Sequence, residues 1–251
     1  MPKLVRASDI TVVIPTIPGR EELLDRAVRS VERQPHGPRS VVVVTDTERR
    51  GAAWARNYGI QLVTENGEDR KGLLSPWIAW LDDDDEMLEN HLAVLARGAS
   101  KTGADAVFTY PWFRGTDSEG RVDHDPLACC WRGELVAAPV DVPFGPDQQA
   151  HLDSRKGAYC PHCRYLRGNF LPCCYLVRTE VIRDAGGFPE PYSMPEVGTS
   201  GECEDYLALL SMLDAGARFY RVTGIRTWVY NYHGANTGGR GAVRMHELEQ
   251  T

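Results

Sequence analysis

Residues 77–91, WIAWLDDDDEMLENH, decide the fold that the rest of the chain supports. They begin with a short apolar run, 77–81, which has the length of a buried strand. Four aspartates at 82–85 and Glu86 follow directly, and the leucines at 88, 92 and 95 then fall at helical spacing. The pattern predicts an acidic strand-to-helix turn. Because open α/β sheets bind ligands at the carboxyl ends of their strands, these carboxylates are expected to lie at a binding edge.

The acidic turn has two interpretations. Adjacent carboxylates repel one another, and a hard divalent cation bound through oxygen ligands would relieve that repulsion. Alternatively, Asp85 and Glu86 occupy the first turn of a helix, which the helix dipole favours, and the other acids are solvated. Four aspartates in succession behind a buried strand exceed what a helix start requires, so we favour a metal site.

The composition is that of a globular protein: 251 residues, of which 42% are hydrophobic and 25% charged. The net charge of -7 and the pI near 5.5 argue against non-specific nucleic-acid binding, which requires a basic surface. The first ten residues, MPKLVRASDI, lack the apolar core of a signal peptide, and no apolar run reaches the roughly 20 residues of an integral membrane segment. Seven cysteines, an odd number, suggest a reducing compartment, so a cytoplasmic location is expected.

The first half of the chain alternates between strand and helix patterns. Strands are predicted at 11–15, 40–44, 77–81 and 105–110, and helices at 21–34 and 52–64. Four consecutive valines in the second strand indicate a strand covered on both faces. The alternation predicts right-handed crossovers and a three-layer α/β/α fold with a central, mostly parallel sheet.

The second half is less regular. Residues 111–167 are rich in Gly, Pro, Asp and Cys, which predicts short strands and loops. Periodic patterns then predict a strand at 173–177, helices at 179–185 and 204–215, and strands at 218–222 and 226–232.

Seven segments form a recognisable series: VVIPTIPGREELLDRAVRSV, VVVVTD, WARNYGI, WLDDDDEM, RTEVIRDAGGF, CEDYLALL and YNYHGANT. In this order they resemble motifs of the family 2 glycosyltransferases of the GT-A fold, among them the Ala-Arg-Asn-x-Gly helix, the DxD turn, the Gly-Gly-Phe turn and the Glu-Asp motif. The resemblance covers roughly residues 10–237. It implies one GT-A domain with a nucleotide-sugar-binding half at 1–110, an irregular acceptor-binding and catalytic half at 111–237, and a flexible tail at 238–251.

The resemblance also implies a reaction and its residues. An inverting, metal-dependent enzyme would move a sugar from a nucleotide-diphosphate donor, a UDP-sugar, to an acceptor hydroxyl. Asp205 would be the catalytic base, with Glu204 as its acidic neighbour, and Asp84 and His233 would bind Mn²⁺ or Mg²⁺. The predicted nucleotide-sugar-binding residues are Pro15, Thr16, Ile17, Asp46, Arg56, Asp82 and Asp83. The acceptor, whether protein, glycan, lipid or small molecule, is not implied.

Each of these assignments has a structural alternative. Asp205 could serve only the dipole of its helix. Asp46 could be an ordinary turn residue, Arg56 a surface charge, and His233 a structural histidine. The register of the DxD motif is open too, because Asp83 and Asp85 could substitute for its two acids.

The cysteines raise a separate question. Cys160 and Cys163 have the spacing of metal ligands, and with Cys173 and Cys174 they could supply four thiolates to a structural Zn²⁺. A second CxxC is missing, however, and neighbouring residues of a strand point to opposite faces. Buried free thiols are therefore the default interpretation and zinc is the alternative.

Two other functions fit parts of the pattern. A nucleotidyltransferase would share the acidic turn, but it would require a basic, glycine-rich phosphate loop where this chain has TIPGRE. A catalytically silent carbohydrate- or nucleotide-binding module could keep the fold. The presence of Asp82, Asp84, Asp205 and His233 argues against that function.

Overall fold

The structure is a computed structural model that describes residues 4–64, 75–115, 142–143, 175–190 and 204–232. Its helices are α1 (Glu21–Glu32), α2 (Ala52–Thr64), α3 (His91–Thr102), α4 (Thr179–Asp184) and α5 (Glu204–Asp214). Its strands are β1 (Ile10–Thr16), β2 (Ser40–Thr45), β3 (Trp77–Trp80), β4 (Glu86–Met87), β5 (Ala106–Gly115), β6 (Val142–Pro143), β7 (Tyr175–Arg178) and β8 (Phe219–Tyr232).

The eight strands of the described ranges form one mixed sheet with the order β2-β1-β3-β7-β5-β8-β4, and β6 pairs with β8. Strands β1, β2, β3, β5 and β8 share one direction, while β7 runs antiparallel between β3 and β5. The largely parallel α/β class is therefore confirmed. Because β1, β2 and β3 are neighbours and parallel, the residues that follow them meet at one edge of the sheet.

The core lies on both faces of the sheet, as a three-layer fold requires. One hydrophobic cluster packs residues of α2, α4 and α5 on one face, and the other packs residues of α1 and α3 on the opposite face. Strand β1 contributes to both, since Val13 belongs to the first cluster and Val12 and Ile14 to the second. A central strand with both faces buried explains its continuous apolar sequence.

The interpretation of the valine run in β2 is wrong. β2 lies at the end of the sheet order, and its Val43 is 40% exposed, whereas Val42 and Val44 are buried. An edge strand is covered less fully than a central one, so consecutive valines do not establish burial on both faces.

Three predicted boundaries also change. The acidic turn leads into the short strand β4, and α3 begins at His91, so Asp85 and Glu86 do not form the first turn of a helix. The two strands predicted at 218–222 and 226–232 are one strand, β8, whose pairing with β5 has register shifts near Tyr110. Strand β5 extends to Gly115, beyond the predicted end at 110.

Within the described ranges, no helix is long and apolar enough to cross a membrane.

Candidate active site

The carboxyl ends of β1, β2 and β3 bring several predicted site residues to one edge of the sheet. Pro15 and Thr16 end β1 and are buried, and Ile17 follows them half-buried. Asp46 follows β2 and is also buried. The aspartates begin two residues after β3, where Leu81 continues the pairing through its N–H bond to the Val13 carbonyl.

Three of the four aspartates converge. Asp82, Asp84 and Asp85 each offer a carboxylate oxygen, and these oxygens all lie within 4.8 Å of one another. Oxygen atoms from carboxylates are the ligands that hard divalent cations prefer, so the donor set fits Mg²⁺ or Mn²⁺. This group could hold a metal ion, and Asp85 belongs to it beside Asp84.

Asp83 points to different partners. The Thr16 hydroxyl donates a 2.7 Å hydrogen bond to Asp83 Oδ2, and Arg20 Nη2 lies 3.1 Å from Asp83 Oδ1. Burial raises the pKa of Asp83 to about 6, against the opposing influence of the Thr16 hydrogen bond and the Arg20 charge. Asp83 thus connects the end of β1 to the acidic turn.

Arg20 also binds the next aspartate. Its Nη2 atom lies 2.6 Å from Asp84 Oδ2, and its side chain remains 29% exposed. Arg20 is the residue immediately before α1, on the loop that follows β1. The guanidinium therefore joins Asp83 and Asp84 from a loop.

The backbone of the acidic turn is fixed from two other elements. Asn231 in β8 donates from its amide to the Asp84 carbonyl at 2.7 Å and from its backbone N–H to Asp85 Oδ1 at 2.9 Å. Arg26 in α1 donates to the same Asp84 carbonyl at 2.8 Å. These bonds hold the carboxylates in a defined orientation instead of leaving a solvated loop.

Arg56 links the acidic turn to the start of α5. Its Nη2 donates to Asp82 Oδ1 at 2.9 Å and its Nη1 to Glu204 Oε1 at 3.0 Å. The side chain is 6% exposed, and its guanidinium lies over the ring of Phe188 at 5.4 Å. Arg56 is thus a buried bridging cation, so the interpretation of this residue as a surface charge is wrong.

The Ala-Arg-Asn-x-Gly sequence explains how α2 places Arg56. Asn57 brackets the backbone of Phe188, accepting from its N–H at 2.8 Å and donating to its carbonyl at 2.7 Å. Gly59 packs on β1, where an added Cβ would lie 2.4 Å from Val13 Cγ1. Gly187, with φ +73°, turns the chain after α4 so that Phe188 meets Asn57. The motif therefore joins α2 to β1 and to the Gly-Gly-Phe turn.

The remaining predicted residues divide into three groups. Asp46 accepts hydrogen bonds from the N–H groups of Arg50 and Gly51, so it shapes the turn into α2. Asp205 is 8% exposed beside Glu204 in the first turn of α5. The predictions for His233, for Cys160 and Cys163, and for the tail at 238–251 lie outside the described residues.

Arg20, Arg26 and Asn231 were not among the predicted site residues. The sequence held partial signals for two of them. Arg20 follows the strand whose end meets the acidic turn, and Asn231 alternates along its strand with the buried Tyr230. Arg26 lies on a helix and has no distinguishing local pattern.

Comparison with known proteins is consistent with this arrangement. A sequence-family model described as glycosyl transferase family 2 matches residues 38–171, a little over half of the chain. The chain therefore belongs to the family 2 glycosyltransferases. A comparison with curated proteins found no match.

Solved structures resemble the fold as well. Residues 1–349 of TarS from S. aureus, in complex with UDP, match with a TM-score of 0.57 and 15% identity, covering 89% of this chain and 60% of that one. GalNAc-T7 with UDP, GalNAc and Mn²⁺ matches with a TM-score of 0.52 and 17% identity over 93% of this chain and 45% of that one. The mannosyltransferase PcManGT from Pyrobaculum calidifontis, in complex with GDP-Man and Mn²⁺, matches with a TM-score of 0.51 and 16% identity, covering 98% of this chain and 63% of that one. The chain thus spans less than two thirds of the length of each of these structures. At such low sequence identity, the structural similarity supports the GT-A fold and nothing beyond it.

Proposed function

We propose that the protein transfers a sugar from a nucleotide-diphosphate donor, a UDP-sugar, to an acceptor hydroxyl with inversion at the anomeric carbon. The observation that carries this proposal is the arrangement around Arg56. Its guanidinium joins Asp82, the first aspartate of the acidic turn, to Glu204 at the start of α5. One side chain thus links the cluster that can hold a cation to Glu204, the neighbour of Asp205, and this link supports a site shared by the metal and the base.

Asp82, Asp84 and Asp85 would hold Mn²⁺ or Mg²⁺ through their neighbouring carboxylate oxygens. When bound, the metal supplies stabilisation of the negative charge that develops on the departing diphosphate. Two solved structures of similar fold contain Mn²⁺ with a nucleotide or nucleotide-sugar, which supports this choice of ion. The Asn231 and Arg26 bonds to the turn would keep the carboxylates oriented for the ion.

Asp205 would act as the base. As the acceptor oxygen forms its bond to the anomeric carbon, the bond from that carbon to the phosphate oxygen breaks, and the acceptor proton passes to the Asp205 carboxylate. Attack from the face opposite the leaving group inverts the anomeric centre. Glu204 is held by Arg56, which suits a positioning role and favours Asp205 as the proton acceptor.

The nucleotide would bind where β1 and β2 end. We retain Pro15, Thr16, Ile17 and Asp46 as the predicted lining of the base and ribose pocket, with Arg56, Asp82 and Asp83 beside them. The complex of TarS with UDP supports a uridine nucleotide, and the complex of PcManGT with GDP-Man makes guanosine donors the comparison to test.

Asp205→Asn tests the proposal directly. The variant keeps the side-chain shape but cannot accept the proton, so transfer is expected to fall by about 10²–10⁴-fold while UDP binding in the presence of Mn²⁺ stays unchanged. The measurement is product formation from a panel of UDP- and GDP-sugars, with NMR assignment of the product anomer and calorimetry for UDP binding.

Asp214→Asn is the matched control, because Asp214 ends the same helix and is exposed. It should retain full transfer. Near-normal turnover in the Asp205→Asn enzyme would show that another group is the base, and retention of the donor's anomeric configuration would contradict the single displacement.

A further inference from the structure

Arg20 and a metal ion would compete for the same carboxylate. The Arg20 guanidinium lies 2.6 Å from Asp84 Oδ2, and Asp84 is one of the three acids that could hold a cation. A metal ion bound to Asp84 would share that carboxylate with the guanidinium, and the two cations would repel one another at this short range. Arg20 therefore neutralises part of the negative charge of the acidic turn.

The environment of Arg20 permits such a change. Its side chain is 29% exposed, and it extends from the loop between β1 and α1, directly after Gly19 with φ +90°. Its two partners are far more enclosed, since the side chains of Asp83 and Asp84 are 4% and 11% exposed. The carboxylates are fixed, and the cation that pairs with them is the part that can move.

The charges of the site indicate where Arg20 would go. A diphosphate bound by the cation that Asp84 holds would lie close to the Arg20 side chain, because Arg20 contacts Asp84 directly. Both contacts of Arg20 to the turn use one nitrogen, Nη2, whereas a diphosphate offers several oxygens that a guanidinium can bind through two nitrogens at once.

We propose that Arg20 couples donor binding to metal binding. In the metal-free protein its guanidinium occupies Asp84; when the nucleotide arrives it transfers to the diphosphate and releases Asp84 for the cation. This inference rests on the proposed function, since it assigns Arg20 a role toward the donor of that reaction. Arg20 thus binds the donor directly, and it makes the metal bind weakly alone and tightly with nucleotide.

The proposal has a thermodynamic consequence that does not depend on turnover. If Arg20 opposes the metal in the absence of nucleotide, its removal must strengthen metal binding there and weaken the effect of nucleotide on metal affinity. Because coupling between two ligands is reciprocal, the effect of metal on nucleotide affinity must weaken by the same factor.

The test is a Mn²⁺ titration followed by the EPR signal of the free ion, with and without UDP. In the wild-type protein, UDP should raise Mn²⁺ affinity by at least about tenfold. Arg20→Gln should raise Mn²⁺ affinity without UDP by about tenfold and reduce the UDP effect by a similar factor. Arg20→Lys, which keeps the charge but offers no bidentate fork, should lie between the two.

Arg29→Gln controls for the loss of one positive charge. Arg29 lies on α1 and pairs with Asp25, and both side chains are more than half exposed, so its loss leaves the acidic turn unchanged. This control should retain the full UDP effect.

Equal changes in the Arg20→Gln and Arg29→Gln proteins, or an Arg20→Gln protein with wild-type Mn²⁺ affinity and coupling, would overturn the inference and leave the proposed function intact. A wild-type protein that binds neither Mn²⁺ nor UDP would instead overturn the proposed function.

Discussion

Two arginines contact the same acidic turn, one from a buried position on a helix and the other from a partly exposed position on a loop. Arg56 is 6% exposed, projects from the middle of α2, and bridges Asp82 to Glu204 with its guanidinium over the Phe188 ring. Arg20 is 29% exposed and projects from a loop. Both arginines neutralise carboxylates of the acidic turn. Arg56 also joins the turn to α5, whereas the ion pairs of Arg20 within the described ranges involve acids of the turn alone. Residue type and partner do not determine whether a cation is structural; the element that carries it does.

The difference has a physical origin in the packing of α2. Helix α2 lies against β1 closely enough that Gly59 has no room for a side chain, and Asn57 fastens the helix to Phe188. Moving Arg56 would require moving this helix, which is packed into the core. Moving Arg20 requires a change of side-chain rotamer in a partly exposed group.

The largest expected effect is on stability when Arg56 is removed. Arg56→Gln should lower the free energy of unfolding by about 2–3 kcal/mol, less than the 3–5 kcal/mol of a fully buried pair because Asp82 and Glu204 are about a third exposed. Arg20→Gln should lower it by about 1 kcal/mol, and Mn²⁺ should restore that loss because the ion replaces the missing charge on Asp84. Urea unfolding with and without Mn²⁺ measures both.

An exposed pair supplies the control for this comparison. Arg29 binds Asp25 one turn away on α1, and both side chains are more than half exposed. Arg29→Gln should change the free energy of unfolding by about 0.5 kcal/mol or less, and Mn²⁺ should have no effect on the change. If the Arg56 and Arg20 variants lost equal stability and responded equally to Mn²⁺, the distinction between a fixed and a displaceable arginine would be wrong.

The next effect concerns the helix that fixes Arg56. Gly59→Ala places a Cβ 2.4 Å from Val13 Cγ1, so either α2 or β1 must shift, and overpacking of this kind costs about 2 kcal/mol. The measurement is urea unfolding of the Gly59→Ala, Val13→Ala and double variants. The double variant should be more stable than the sum of the two losses predicts, because the smaller residue removes the clash.

Gly37→Ala is the matched control, since an added Cβ at Gly37 has nothing within 4 Å. It should leave stability nearly unchanged. Additive losses in the Gly59 and Val13 variants would mean that the two residues do not meet, and that the rigidity of α2 has another source.

Local sequence patterns were sufficient for much of this fold. The helix predicted at 52–64 has those bounds, and strand β3 was found because its apolar residues form an unbroken run. The position of a strand within the sheet has no such local signal, which is why the valines of β2 were assigned to a covered strand although Val43 lies exposed at the edge. The spacing of the leucines at 88, 92 and 95 likewise predicted a helix directly after the acidic turn. The strand β4 lies there instead, because residues 86–87 pair with β8.

The candidate site divides in the same way. The acidic turn was predicted because four aspartates directly behind a buried strand are unusual, and the Glu-Asp pair at 204–205 because it resembles a motif of the family. Arg20 contacts Asp84 across 64 residues of sequence, and Asn231 contacts the same residue across 147. Such contacts follow from the sheet order and not from any spacing along the chain, so sequence patterns did not reveal them.

The smallest expected effect comes from a buried basic residue without a carboxylate partner in the described ranges. His91 is fully buried, with its Nδ1 atom 2.7 Å from the Thr227 hydroxyl and its Nε2 atom unpaired in that part of the chain. Burial lowers the pKa of His91 to about 3, so this residue is neutral in the folded protein, in contrast to the positively charged Arg20 and Arg56.

The sign of the resulting pH dependence follows from proton binding. The folded pKa of His91 lies below its unfolded value of about 6.5, so the unfolded state binds more protons between these values and stability falls as the pH is lowered. From pH 7 to 5.5 the loss should be about 1 kcal/mol, and His91→Gln should abolish it.

Asp83, whose pKa is raised, acts in the opposite direction, so the quantity to measure is the difference in unfolding free energy between wild type and His91→Gln at each pH. A difference that stayed constant over this range would mean that His91 becomes protonated in the folded protein. The arginine comparison is best made at about pH 8, where His91 is almost entirely neutral in both states and each measured loss belongs to the arginine that was replaced.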